Sequence, residues 1–186
     1  MQQPFAGDEA TVIVRMAAGD RAALAELYAR HERALLAYLR LLTGDAGLAE
    51  ELLQDTLLAA WTGAHAFAGR ASVQGWLFGI ARRRAHDTLR RRHLRLVDST
   101  ALETASSSEP NPEDLLLAEA DRAEVTAAIA RLGAIHQEIL VLTFIHELSY
   151  LDLAEVLGIP LGTVKSRLNH AKRALREQLR PEGIRR

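Results

Sequence analysis

Lys165, Ser166, Asn169, His170, Lys172, Arg173 and Arg176 fall on one side of a segment whose other side, Val164, Leu168, Ala171 and Leu175, is apolar at helical spacing. Cations and amides held together on one helix face suit hydrogen bonding to base edges and neutralisation of phosphates. A second group lies at Phe67 to Arg92, where Phe67, Trp76 and Phe78 precede Arg82, Arg83, Arg84, Arg90, Arg91 and Arg92. Aromatics beside arginines suit unpaired bases: the cations hold the backbone, and base stacking is worth about 1 to 3 kcal/mol. That is comparable to the few kcal/mol needed to take one base out of its stack. A third group, Glu50, Glu51, Gln54 and Asp55, makes an acidic face that suits a basic partner, although most such faces are only solvated surface.

The elements that must position these groups are helices. Ser149 reads as an N-cap with Asp152 three residues on, followed by Leu153, Ala154 and Leu157 as one apolar face. Gly158 stops that helix and Pro160 forbids its continuation, so a second helix starts near Leu161. The pair has the layout of a helix-turn-helix, which sets its second helix in a DNA major groove. An ordinary charged helix in a bundle is the plainer alternative.

Upstream, a helix is expected over about 9–18. A second carries the stripe Leu24, Leu27, Tyr28, His31, Leu35, Tyr38, Leu39 and Leu42, and a third runs from Ala46 or Leu48 to Trp61 with Leu48, Leu52, Thr56 and Ala59 inward. Residues 62–74 read as a loop with at most one helical turn. A fourth helix then opens at Gly75 or Trp76 and runs to about His93, with Leu77, Ile80, Ala81, Ala85 and Thr88 or Leu89 inward. Phe78 is expected in the core, while Trp76 divides evenly between core and base contact. Val125, Ile129 and Leu132 mark a further helix, and Ile135, Ile139, Leu142 and Thr143 another.

Charge is segregated along the 186 residues, so the net charge of −1 conceals the pattern. Arginines 82, 83, 84, 90, 91, 92 and 95 face only Asp87 in their stretch, and six bases between Thr163 and Arg180 face only Glu177. Between them, residues 98–124 hold eight acids against Arg122, with a serine run and two prolines. Two polyanion-binding surfaces on an acidic tether are the expected arrangement.

Cysteine is absent, which excludes disulfides and thiolate metal sites, and the sequence starts with neither a basic nor an apolar leader. A cytoplasmic protein is expected. The seven histidines form no zinc-protease spacing, and there is no phosphate loop or nucleophile elbow, so no metal, no cofactor and no catalysis are expected.

Three segments in order resemble the two-domain bacterial sigma factors of the extracytoplasmic-function type. They are Ala49-Glu50-Glu51-Leu52-Leu53-Gln54-Asp55, then Trp76-Leu77-Phe78-Gly79-Ile80-Ala81-Arg82 with Asp87, Arg90 and Arg91, and then Gly158 to Leu168 with Ala171 to Leu175. The resemblance covers residues 20–94 and 113–180 and implies an all-α fold: two small helical domains, 8–95 and 115–181, joined by a flexible acidic linker, 96–114, with the helix-turn-helix in the second. It implies that Glu50, Glu51, Gln54 and Asp55 meet the clamp helices of the largest subunit of core RNA polymerase, with the second domain at the flap region. Phe67, Arg70, Ser72, Trp76, Arg82, Arg83, Asp87, Arg90 and Arg91 would recognise and open the minus-ten element of promoter DNA. Thr163, Lys165, Ser166, Arg167, Asn169, His170 and Arg173 would read the minus-thirty-five duplex. An anti-sigma partner is implied as the regulator, and no membrane insertion.

The sequence departs from that pattern at several points. Arg70 follows Gly69 where an acid is common, Val73 replaces an aromatic, and Asn169 and His170 stand where basic or aromatic residues are frequent, which leaves both promoter elements open. Gly133 replaces a common Leu-Pro and affects only a helix start. A stand-alone helix-turn-helix regulator and a helical enzyme or scaffold are the competing readings. The first leaves Trp61, the aromatic loop and the arginine helix unexplained, and the second lacks a convergent polar pocket.

Overall fold

The computed structural model describes residues 6–98 and 119–179; most of the expected linker, 99–114 of 96–114, lies outside the described residues. Every regular element among the described residues is helical. Helices α1 (Ala6–Ala17), α2 (Arg21–Thr43), α3 (Ala46–Gly63) and α4 (Val73–Asp98) form one compact unit. Residues 111–154 with 158–186 form the other and carry α5 (Glu119–Ala130), α6 (Ala134–Phe144), most of α7 (Tyr150–Leu157) and α8 (Leu161–Gln178).

Local chemistry sets the helix ends of the first unit. The Asp20 carboxylate accepts from the Ala22 N–H at 2.9 Å and starts α2. Gly44 ends α2 at φ 65°, a left-handed conformation that costs an L-residue about 1 to 2 kcal/mol. One residue later, Asp45 accepts from the Leu48 N–H at 3.0 Å and starts α3.

The expected stripe of α2 supplies the core through Leu27, His31, Leu35, Tyr38 and Leu39, whereas Leu24 and Leu42 are half-buried and Tyr28 is exposed. Helix α3 buries Leu48, Leu52 and Thr56 of its expected stripe, leaves Ala59 half-buried, and adds Ala49, Leu53 and Ala60. It packs on α2, α4 and α1 together, so a wider face is covered. Phe78 is fully buried, its ring 5.0 Å from that of Tyr38. Burial of a side chain of that size is worth about 1.5 to 3 kcal/mol.

Helix α4 begins at Val73, before the expected start, because Ser72 caps it: the Ser72 hydroxyl accepts from the Gly75 N–H at 2.9 Å. The single turn allowed for in the preceding loop is a 3-10 turn at Ala64–Ala66. In the second unit α6 packs on α8, and α5 on both, around Ile129, Ile139, Leu140, Leu142, Val164, Leu168 and Ala171. Ile135 stays exposed although its spacing marks it as inward, while Leu140 is fully buried; α6 is apolar on nearly every side, so periodicity does not single out its inner face.

Candidate nucleic-acid interface

The helix-turn-helix forms as the local signals dictate. The Ser149 hydroxyl accepts from the Asp152 N–H at 3.1 Å, and the Asp152 carboxylate accepts from the Ser149 N–H at 3.2 Å, a reciprocal capping box. Gly158 ends α7 at φ 64°, and Pro160 leads directly into α8. With Val164, Leu168 and Ala171 buried, α8 turns Lys165, Ser166, Asn169, His170 and Arg173 to solvent. Thr163 and Arg167 are half-buried flanks of the same face. Arg173 is braced by Glu177 at 3.3 Å, and the Ser166 hydroxyl donates to the Thr163 carbonyl at 3.1 Å. Lys172 lies 5.2 Å from the Phe144 ring centroid, a cation–π contact across α8 and α6 that sequence spacing does not signal.

In the first unit the aromatic loop and the arginine helix meet. The loop leaves the 3-10 turn at Phe67, whose N–H donates to the Ala64 carbonyl at 3.2 Å. The Phe67 ring stands 5.1 Å from Trp76, tilted 54°, and both are half-buried, so a partly exposed aromatic pair sits at the start of α4. Arg70 is exposed on the loop, and Ser72, a candidate DNA contact, serves as the α4 cap. Farther along α4, Arg83, Asp87, Arg90 and Arg91 are exposed and Arg82 is half-buried. Asp87 pairs with Arg90 at 3.5 Å, and its carbonyl accepts from Arg91 at 3.2 Å, which orients two cations without neutralising the face.

Two further arginines of α4 have distinct settings. Arg84 is exposed one position beyond Arg83. Arg92 instead pairs with Asp45 at 3.6 Å, tying α4 to the start of α3. Backbone hydrogen bonding and then the Arg92 charge hold the Asp45 carboxyl below its usual range.

Glu50, Glu51, Gln54 and Asp55 are all exposed along α3, as their spacing requires. Glu50 is 3.6 Å from Arg40 of α2. A shallow groove of about 290 Å³ runs beside this face, lined by Tyr28, Glu32, Leu36, Glu50, Leu53 and Gln54. The α2 side of that groove was not evident from the α3 motif alone.

His31 and His146 are buried and His170 is exposed. Burial pushes the His31 imidazole below its ordinary value against the pull of Glu9, and burial pushes His146 down to about 4. Among the described residues no group of three or more His, Asp or Glu side chains is arranged to hold a metal ion. No described helix is long and apolar enough to cross a membrane.

Residues 27–115 match the family model described as sigma-70 region 2, and residues 122–175 match that described as sigma-70, region 4. The chain is 35% identical over 169 residues to the ECF RNA polymerase sigma factor SigL of Mycobacterium tuberculosis, covering 90% of this chain and 95% of that protein. It is 35% identical over 161 residues to the ECF RNA polymerase sigma factor RpoE of Cereibacter sphaeroides, covering 86% and 88%. Among solved structures it resembles the sigma factor RpoE of Bartonella quintana, crystallised with the anti-sigma factor NepR. That match has a TM-score of 0.69 and 29% identity and covers 84% of this chain and 96% of the other.

Proposed function

Because this chain belongs to the ECF family of RNA polymerase sigma factors, we propose that it acts as a dissociable subunit of core RNA polymerase whose two helical modules select and open promoters. The residues implied by the family pattern then take distinct tasks. Glu50, Glu51, Gln54 and Asp55 engage the clamp helices of core polymerase, with the α2–α3 groove beside them receiving apolar side chains. Phe67, Trp76 and the exposed arginines of α4 hold the opened minus-ten strand, the rings by stacking and the cations by phosphate neutralisation. The α8 face, from Thr163 to Arg173, reads the minus-thirty-five element as duplex.

The domains are taken as 8–95 and 115–181, with the acidic stretch 96–114 between them following a nucleic-acid path. The chain supplies no chemistry of its own in this scheme; nucleotide addition stays with polymerase, in the cytoplasm. Control by an anti-sigma protein is part of the proposal, supported by the Bartonella quintana sigma factor having been crystallised with one.

One observation carries the reading. A single helical core presents exposed carboxylates on α3 and exposed arginines on α4, which suits simultaneous contact with a protein and with DNA. Run-off transcription with core polymerase on genomic fragments tests it. Specific starts only when the chain is added support the proposal. Promoter retention by the chain alone, with no effect on polymerase, would favour a stand-alone regulator.

A further inference from the structure

Helix α1 precedes the region-2 match, which begins at residue 27. It is nevertheless fastened to the unit at both ends. Glu9 meets His31 of α2 at 3.1 Å in a largely buried pair, and Arg15 pairs with Asp20 at 2.7 Å and with Glu26 of α2 at 2.9 Å. On the same helix Val12, Ile13 and Met16 are at most 2% exposed. Besides α2, helix α1 packs against the 3-10 turn Ala64–Ala66 and, less extensively, against α3 and α4.

That turn has only Ala64 buried, so it has almost no core of its own. Its main packing partners are α3, which runs straight into it, and α1, which is remote in sequence. The turn in turn fixes Phe67 through the Ala64 carbonyl, and Phe67 stands against Trp76.

We propose that α1 is a positioning element for the aromatic loop: Val12, Ile13 and Met16, held by the Glu9–His31 and Arg15 clasps, fix the 3-10 turn and so the pose in which Phe67 and Trp76 receive an unpaired base. The proposal rests on the promoter-opening reading of that loop. It assigns α1 no contact with DNA or polymerase. A rigid neighbour holding a loop in one arrangement couples the two only if both bias the same equilibrium, which is a measurable quantity.

Promoter opening by the reconstituted holoenzyme, read from a fluorescent base analogue in the minus-ten element, and core affinity are measured for the full-length chain. Met16→Ala should slow opening by about fivefold to 150-fold, the span corresponding to one lost stacking contact. Core affinity should stay unchanged at a temperature where circular dichroism shows the variant folded. Met16→Leu, close in volume, should retain opening, and Glu9→Ala should shift it in the same direction as Met16→Ala without removing apolar core. Combined with Trp76→Ala, Met16→Ala should add little further loss, because both act on one pose.

Effects that multiply independently, or opening that falls only with the unfolded fraction or in step with core affinity, would overturn the assignment. Failure of the unmodified chain to open any promoter would strike the reading of the loop itself, a result separate from any variant difference.

Discussion

Acidification should weaken the helix-turn-helix unit through His146. This side chain follows α6, is 7% exposed, and has its imidazole pushed down to about 4 by burial. In the unfolded chain it titrates near 6.5, so unfolding below that pH takes up a proton that the folded unit refuses. The contribution is fully present above pH 6.5 and is lost as pH falls towards 4. At pH 5 the unfolded imidazole is almost entirely charged and the folded one almost entirely neutral, a difference of about 2 kcal/mol. Small domains have only several kcal/mol of total stability, so the loss is a large share. Urea titrations followed by far-ultraviolet circular dichroism at pH 7 and pH 5 would compare the unmodified chain with His146→Gln. The variant should lose less stability across that interval by about 2 kcal/mol, with other titrating groups, His31 included, cancelling in the comparison. Parallel losses in both proteins would refute the assignment of the acid sensitivity to this imidazole.

Other changes have separable signatures. Gly158→Ala should destabilise the C-terminal unit by about 1 kcal/mol, seen as a lower urea midpoint at unchanged slope, because φ is 64° there. Replacing exposed Arg83, Arg90 or Arg91 by Ala should weaken promoter opening and lower its salt dependence by about one unit of slope per lost phosphate contact. Asn169→Ala or Lys165→Ala should change preference at individual minus-thirty-five positions by about 1 to 3 kcal/mol in competition binding of the holoenzyme. Equal losses on every DNA sequence would make those two side chains backbone anchors.

Much of the site was legible because its positioning chemistry is local. Ser149, Asp152, Gly158 and Pro160 define the turn within a dozen residues, and the Val164–Leu168–Ala171 stripe then dictates which α8 side chains face outward. The exposed carboxylates of α3 follow from the same periodic logic. What escaped depends on partners distant in sequence. Glycines at 63 and 69 and serine at 72 suggest a loop through residue 74, yet Ser72 caps an earlier start of α4, and the helix then continues to Asp98 through arginines, which are good helix formers. Arg92, grouped by sequence with the other arginines of α4, meets Asp45, a pairing only the packing of α4 on α3 reveals. The bracing of the aromatic loop by α1 likewise joins segments some fifty positions apart, beyond the reach of any local signal.

Permanganate probing of unpaired thymines across a promoter used by this protein tests the central claim most directly. Thymines in the minus-ten region should become reactive only when core polymerase and the chain are both present, with Trp76→Ala suppressing the signal. Reactivity with core polymerase alone, or a duplex left closed by the assembled holoenzyme while initiation proceeds, would contradict it.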